Sequence, residues 1–569
     1  MKRIVSYNWI LLPVFFTGVL FFYTQLFVEK ETLPKEYVFI LFSLLLGILL
    51  FFKNSQSVQW DRLTVVIFIF TGYILAATIV TGGRSLEILK LVGFLLLFLY
   101  FKGSDIKGKY LKTIIVSLCL LQAVYGLLQY FQIIHISSTF PIIGSFDNPA
   151  GFAACLAVAF PLAFSLLRES KYYKCLAIVS MIVIGVAVVL SESRAGMVSL
   201  GVVSVAFLFF IRLCGKKTLK VISISLFLLI GAAIFLLLLS MKKESASGRV
   251  LIWQTTWEMM QDAPVLGHGN GAFTAKYMDY QADYFAQNPE SKYAMLADNV
   301  LHPFNEYLLL VAEYGFVGLG LLFIVLFFLF KSDGLNSPYL LCLISLGVFS
   351  LFSYPLKYPF VWVIVAYCLA KISKSQKPVF VFSFPNKKWF RIIIMLMCFI
   401  VGGYFLSKDI SFEYQWNKAA KASLFGKTKE VLPEYEHLHH IWNGNYLFLY
   451  NYGAELNHVQ EYEKSNAILY QCLKYFNDYD VQMLLADNYS NLKQWDKAEA
   501  HYLKAADMCP VRFVPLSKLM NLYDAIGQND KTERMALKII DKPVKIESST
   551  IRSIKFEARE KINNQNISH

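Results

Sequence analysis

Four short polar stretches in this chain carry residue types that can hold an anion and activate a hydroxyl. The first is Ser247-Gly248-Arg249-Val250-Leu251-Ile252-Trp253. Val250, Trp253 and Trp257 recur at helical spacing, so the stretch predicts a helix lying along a membrane surface. Arg249 near its start suits an anionic headgroup, although a merely interfacial helix would show the same pattern. The second is His302-Pro303-Phe304-Asn305-Glu306-Tyr307, just before an apolar block. A histidine titrates near neutrality and can take a proton from a hydroxyl. Asn305 and Glu306 begin the following helix, and Glu306 could orient His302 or meet substrate directly. The third is Ser-Glu-Ser-Arg-Ala-Gly at 191–196. Arg194 sits between two apolar blocks and either pairs with Glu192, forks onto a phosphate, or extends to the interface. The fourth is Gly-Ser-Phe-Asp-Asn-Pro-Ala-Gly at 144–151. Asp147 or Asn148 caps a helix with Pro149 in its first turn, and such an N-terminus also offers free N–H groups to an anion.

Other polar residues read as structure. His268 lies between glycines in a tight turn. His437, His439 and His440 have a spacing that does not put all three on one helix face, and the nine cysteines show no metal-ligand spacing. Neither a metal nor a cofactor is called for. A Cys472–Cys509 disulfide cannot be read from spacing.

The elements that must position these residues are membrane spans. Hydrophobic residues make up 56% of the 569 and charged residues 17%, with the apolar residues gathered in blocks. Each block runs to about 16–24 residues, the length that crosses a bilayer core. About thirteen spans are expected, near 8–28, 36–52, 63–82, 86–101, 111–134, 150–168, 174–191, 195–212, 219–240, 306–330, 338–353, 356–371 and 391–407. Lys2, Arg3, Lys53, Arg62, Lys102, Lys107, Lys109, Lys216, Lys217, Lys371 and Lys374 fall in one set of connections. The alternate short loops hold only Lys30, Lys35, Arg84, Arg194 and Lys357. The rich side is the cytoplasm by the positive-inside rule. The net charge of +14 is therefore a topology signal and no sign of nucleic acid. The chain divides into spans at 1–240, a large outer loop at 241–305, further spans at 306–410 and an outer soluble domain at 411–569. In a bacterium the N-terminus is then cytoplasmic, and the loop and C-terminal domain are periplasmic, on the inner membrane.

The soluble tail repeats at a step of about 34 residues. Tyr489 aligns with Tyr523, and Asp496-Lys497-Ala498 with Asp530-Lys531-Thr532. The unit resembles a tetratricopeptide repeat, an architecture whose surfaces bind protein partners. The fold class expected is therefore all-α: a polytopic membrane protein with a C-terminal α-helical, tetratricopeptide-like domain.

Taken together, G-S-F-D-N-P-A-G, S-R-A-G, S-G-R-x-x-x-W, P-V-L-G-H-G-N-G-A-F and N-E-Y-L-L-L-V-A-E-Y-G-F-V-G resemble the O-antigen ligase and polymerase superfamily. The resemblance covers roughly 140–330. It implies a metal-independent, inverting glycosyltransferase of the GT-C type. Such an enzyme passes a glycan from undecaprenyl pyrophosphate to an acceptor hydroxyl, on lipid A core or on protein. By this resemblance Arg194 and Arg249 hold the pyrophosphate and His302 assists the acceptor. Asn148 and Asn305, at the two helix starts, are expected as further substrate contacts. Many members carry His-x-His-Asn where this chain has His302-Pro303-Phe304-Asn305. Phe304 thus replaces the second histidine, and the base is either His302 or Glu306. A polymerase that extends glycan on its lipid carrier shares these features. A transporter of lipid-linked glycan would call for internal repeats, and no half-to-half repeat is evident. A scaffold would not need so many spans.

Overall fold

A computed structural model describes residues 2–52, 57–104, 106–207, 243–331, 337–383, 388–441 and 444–568. The expected span at 219–240 lies outside them. The protein is an all-α polytopic membrane protein. Five helices are long and apolar enough to cross a bilayer: Arg62–Val80, Gly108–Tyr130, Pro149–Leu166, Lys171–Leu190 and Glu306–Phe330. Trp9–Phe21, Arg194–Phe207 and Pro338–Ser350 are shorter apolar helices. Every other expected span on described residues is helical as well, most with ends displaced by a few residues, while the one expected at 391–407 belongs to the helix Lys388–Leu424 and so runs on into what was expected to be the soluble domain. The first helix, for example, stops at Phe21. Among the described residues the β-structure is one antiparallel pair, Ser57–Trp60 with Phe380–Ser383.

The chain forms two compact units. The first comprises 1–241, 304–310 and 316–414. Its centre is Pro149–Ala159 and Pro161–Leu166, two short helices broken where Pro161 cannot supply an N–H. Gly151, Ala153, Ala154, Cys155, Ala157 and Ala159 are buried there. Small residues let neighbouring backbones approach, which is how helices associate where lipid offers no hydrophobic drive. A Cβ at Gly151 would lie 2.4 Å from the Tyr358 ring, so only glycine fits. Ser345 Oγ donates to Ala157 O at 2.6 Å, and the Ser199 and Ser345 hydroxyls pair at 2.7 Å, which joins three helices. Elsewhere Asp61 caps Arg62–Val80 and is buried with Lys102, Thr64 and Ser373 around it. This closed polar network leaves no charge unpaired.

The second unit comprises 242–303, 311–315 and 415–569. The stretch 242–303 supplies helices Lys243–Asp262 and Ala272–Gln287. The tail supplies successive helices that pack in pairs: Tyr446–His458 with Tyr462–Cys472, Tyr479–Asn491 with Trp495–Met508, and Val514–Ala525 with Asn529–Asp541. One arrangement recurs at the sequence's own period: Lys497 lies 5.1 Å over Tyr489, and Lys531 lies 4.9 Å over Tyr523. Cys472 and Cys509 are both buried and both free thiols.

The loop is fastened to the tail by polar contacts. Asn477 Nδ2 donates to Asp279 Oδ1 at 2.6 Å, and Lys504 pairs with the same oxygen at 2.6 Å. Gln281 Nε2 donates to Met508 O at 2.6 Å. Asn299 accepts from Tyr479 N at 3.1 Å and donates to Asp478 at 3.1 Å. Arg512 pairs with Asp298 at 2.8 Å. These contacts join residues roughly 180–230 positions apart, so no local pattern announces them.

Candidate active site

In the membrane unit the expected residues Asn148 and Glu306 meet a turn that sequence reading did not select, Tyr354 to Tyr358. Asn148 caps Pro149–Ala159, its Oδ1 accepting from Gly151 N at 3.0 Å. Its Nδ2 donates to the Tyr354 hydroxyl at 3.3 Å. Asp147 next to it pairs with Lys357 at 2.7 Å, and the Tyr358 hydroxyl lies 3.0 Å from Asp147 Oδ1 and 3.2 Å from Asn148 Oδ1. Glu306 Oε1 accepts from Leu356 N at 3.0 Å. The start of Glu306–Phe330 is thereby tied to the same turn. Asn305 is its N-cap, accepting from Tyr307 N at 2.9 Å and Leu308 N at 3.1 Å. Upstream, Gln129 fixes the approach to Asp147 by accepting from Gly144 N at 2.7 Å and donating to Gly144 O at 2.8 Å.

Phe304 has φ 53, a left-handed backbone that a bulky residue seldom adopts. Its ring packs on Tyr354 with centroids 5.5 Å apart. The surroundings are charged: burial and then Glu36 push the Glu29 carboxyl above its usual range, while Lys357 pulls it down. Lys35 is fully buried and donates to Ser145 O, with its ammonium 4.5 Å over Phe146. Lys35 and Lys357 were visible in the sequence as two of the few basic residues in the sparse loops. Their partners were not, because Lys357 and Asp147 are 210 residues apart. Arg194 opens the Arg194–Phe207 helix in this unit and is half-buried.

In the second unit, Arg249 and the His302 segment are fastened to one helix. Trp253 Nε1 donates to Pro303 O at 2.9 Å, and Trp253 lies one turn beyond Arg249 on Lys243–Asp262. Residues four apart share a helix face. The residue following His302 is therefore pinned to the face that carries Arg249. Both side chains are half-buried. Leu251, Ile252, Thr255, Thr256, Met259 and Met260 of the same helix are buried, a stripe that adjoins the Arg249 side. Val250 and Trp257 are exposed. His268 is engaged at both ring nitrogens, to Met259 O at 2.7 Å and Lys276 Nζ at 3.1 Å. It therefore serves to hold its turn.

Each unit offers chemistry of its own. Arg194 in the first and Arg249 in the second can each neutralise phosphate charge. A half-buried imidazole can take a proton. The Asp147, Asn148, Tyr354 and Lys357 groups can hydrogen-bond hydroxyls. Among the described residues no group of three or more His, Cys, Asp or Glu could hold a metal ion.

No curated protein matches the chain. Residues 177–323 match the family model described as O-antigen ligase. That span takes in Arg194, Arg249, His302, Asn305 and Glu306, and leaves out Asn148, Lys357 and the tail. Over that stretch, which is about a quarter of the chain, the sequence is similar to the O-antigen ligase family.

Proposed function

We propose that this protein is a ligase that transfers a preassembled glycan from undecaprenyl pyrophosphate to an acceptor hydroxyl, on lipid A core or on a protein side chain, at the outer face of a bacterial inner membrane. The observation that carries the reading is the Trp253–Pro303 hydrogen bond, which holds the arginine helix and the histidine segment together inside the matched region.

In this reading His302 takes the acceptor's proton as the acceptor oxygen attacks the sugar C1. The bond from C1 to the phosphate oxygen breaks, and its electron pair leaves on the pyrophosphate. Arg194 and Arg249 neutralise the charge that grows there, the electrostatic contribution that usually dominates. A single displacement inverts the anomeric centre. Glu306 already accepts from the Leu356 amide, so its part is to set the Tyr354–Tyr358 turn, with His302 as the base. Asn148 and Asn305 shape the two helix starts that border this turn and contact substrate there. The tail has the helix pairs of a tetratricopeptide-like array, and its first task is to brace the loop through Asn477, Asn299 and Arg512. A protein partner would use its remaining surface.

The test supplies purified protein with lipid-linked glycan and with either lipid A core or a serine-rich acceptor protein, and asks where the glycan ends up. Glycan on either acceptor supports ligation. A ladder of longer chains still on the lipid carrier would make the protein a polymerase instead.

A further inference from the structure

The turn Ala263-Pro264-Val265-Leu266-Gly267-His268-Gly269 is seated in a break of an apolar membrane helix. Glu306–Phe330 is kinked at Gly315, whose φ 64 and ψ −173 are not helical. A Cβ at Gly315 would lie 2.1 Å from Val265 O. In an unbroken helix Ala312 O and Glu313 O would accept from residues 316 and 317. Here they accept from His268 N and Gly269 N, each at 2.9 Å. The Tyr314 hydroxyl donates to Asn270 Oδ1 at 2.6 Å and ties the far side of the turn. Backbone polar groups inside a bilayer must find partners within the protein. The turn and the kink satisfy each other in this way.

The kink lies nine residues into the span, about 14 Å along it at 1.5 Å per residue. A turn seated there and facing water would carry polar side chains at its tip. This one carries Val265 and Leu266, each 62% exposed. The helix it sits against is long and apolar enough to cross a bilayer and exposes Phe316 and Val317 in the next turn.

We propose that Val265 and Leu266 are a membrane-dipping tip, immersed in the acyl chains of the leaflet nearest the start of the Glu306–Phe330 helix. The tip anchors the loop that carries Arg249 and His302 at the lipid surface. The occupant is hydrocarbon because the tip is apolar and adjacent to a span whose Ala312 and Glu313 carbonyls accept from His268 and Gly269 of the same turn. The proposal does not depend on the transfer reaction.

The experiment places a nitroxide label at Leu266→Cys, and separately at Val265→Cys, in full-length protein with Cys175, Cys214 and Cys398 replaced by Ser. The protein is reconstituted in phosphatidylethanolamine–phosphatidylglycerol vesicles. Leu424→Cys, on the second unit and 86% exposed, is the aqueous reference. Labels at 265 and 266 should collide with oxygen several-fold more, relative to a water-soluble nickel complex, than the label at 424. Nickel accessibility at 265 and 266 equal to that at 424 would overturn the proposal. Protection from both relaxants would overturn it too, since that would show the tip covered by protein.

Discussion

Two Gly→Ala changes in one helix should have opposite effects. At Gly315 a side chain needs a positive φ, which costs an L-residue about 1–2 kcal/mol. Its Cβ would also fall within 2.1–2.6 Å of Val265 and Leu266 backbone atoms, which cannot move without the turn leaving. Departure of the turn gives up the His268 and Gly269 hydrogen bonds, each worth roughly 0.5–1.5 kcal/mol. These bonds are lost in place of the strain and do not add to it, so Gly315→Ala disfavours the docked turn by about 1–2 kcal/mol from φ alone, and by more for the clash. Gly320, five residues on, has nothing within 4 Å of its Cβ position and no positive φ. Gly320→Ala should therefore stabilise the helix by up to about 1 kcal/mol. Hydrogen exchange on reconstituted protein reads the difference directly. The His268 and Gly269 amides should exchange at least roughly fivefold faster in Gly315→Ala, at about 1.4 kcal/mol per factor of ten, and no faster in Gly320→Ala. Unchanged exchange in Gly315→Ala would refute the claim that the turn depends on the kink.

Other perturbations test the site and the tail. Trp253→Phe keeps a ring but deletes the N–H that holds Pro303 O. The loss of about 1 kcal/mol of hydrogen bonding should barely change melting yet lower kcat by roughly tenfold or more through misplacement of His302. Unchanged kcat would mean the bond does not position the base. Glu306→Gln keeps an acceptor for the Leu356 amide and should retain most activity, while a collapse to the level of a base-less variant would restore Glu306 as the catalytic base. Asp478 is buried, and burial pushes its carboxyl up to about 6. A raised acid favours the folded state when protonated, so its contribution is fully present below about pH 4 and is lost as pH rises through 6. Asp478→Asn still caps the helix and removes a slope of up to about 3 kcal/mol. The variant should gain on wild type in urea stability between pH 4 and 6, then hold that lead at higher pH. His501, driven down to about 4 by burial and by Lys504, gives an opposite slope in both proteins, which cancels in the comparison. A constant difference across pH would show that Asp478 does not titrate there.

The spans were legible because apolar blocks of bilayer length leave few alternatives. Their composition also marked Lys35, Arg84, Arg194 and Lys357 as unusual charges. The helix starts at Asn148 and Asn305 were legible because capping is a local event that shows in three or four residues. Contacts between distant residues were not. The Asp147–Lys357 pair, the Gln129 clamp on Gly144 and the loop-to-tail bonds of Asn299 and Asn477 each join segments that no periodicity relates. The face of Lys243–Asp262 was read by its aromatic spacing, yet Leu251, Ile252 and Met259 are what it buries. Two adjacent apolar stripes on one helix cannot be ranked without knowing what packs on each. Gly315 stood in a plain apolar run, and its kink shows only once the Ala263–Gly269 turn is seen against it.

The central claim is that Arg249 and His302 carry out glycosyl transfer. The measurement that tests it most directly is single-turnover transfer from lipid-linked glycan by reconstituted wild type, Arg249→Ala and His302→Ala. Wild type should show a rate that rises with pH as the base loses its proton. His302→Ala should lose about 100- to 10,000-fold in rate together with that pH dependence, and Arg249→Ala should lose a comparable factor with the pH dependence intact. Full activity in both variants, or a pH profile unchanged in His302→Ala, would contradict the account.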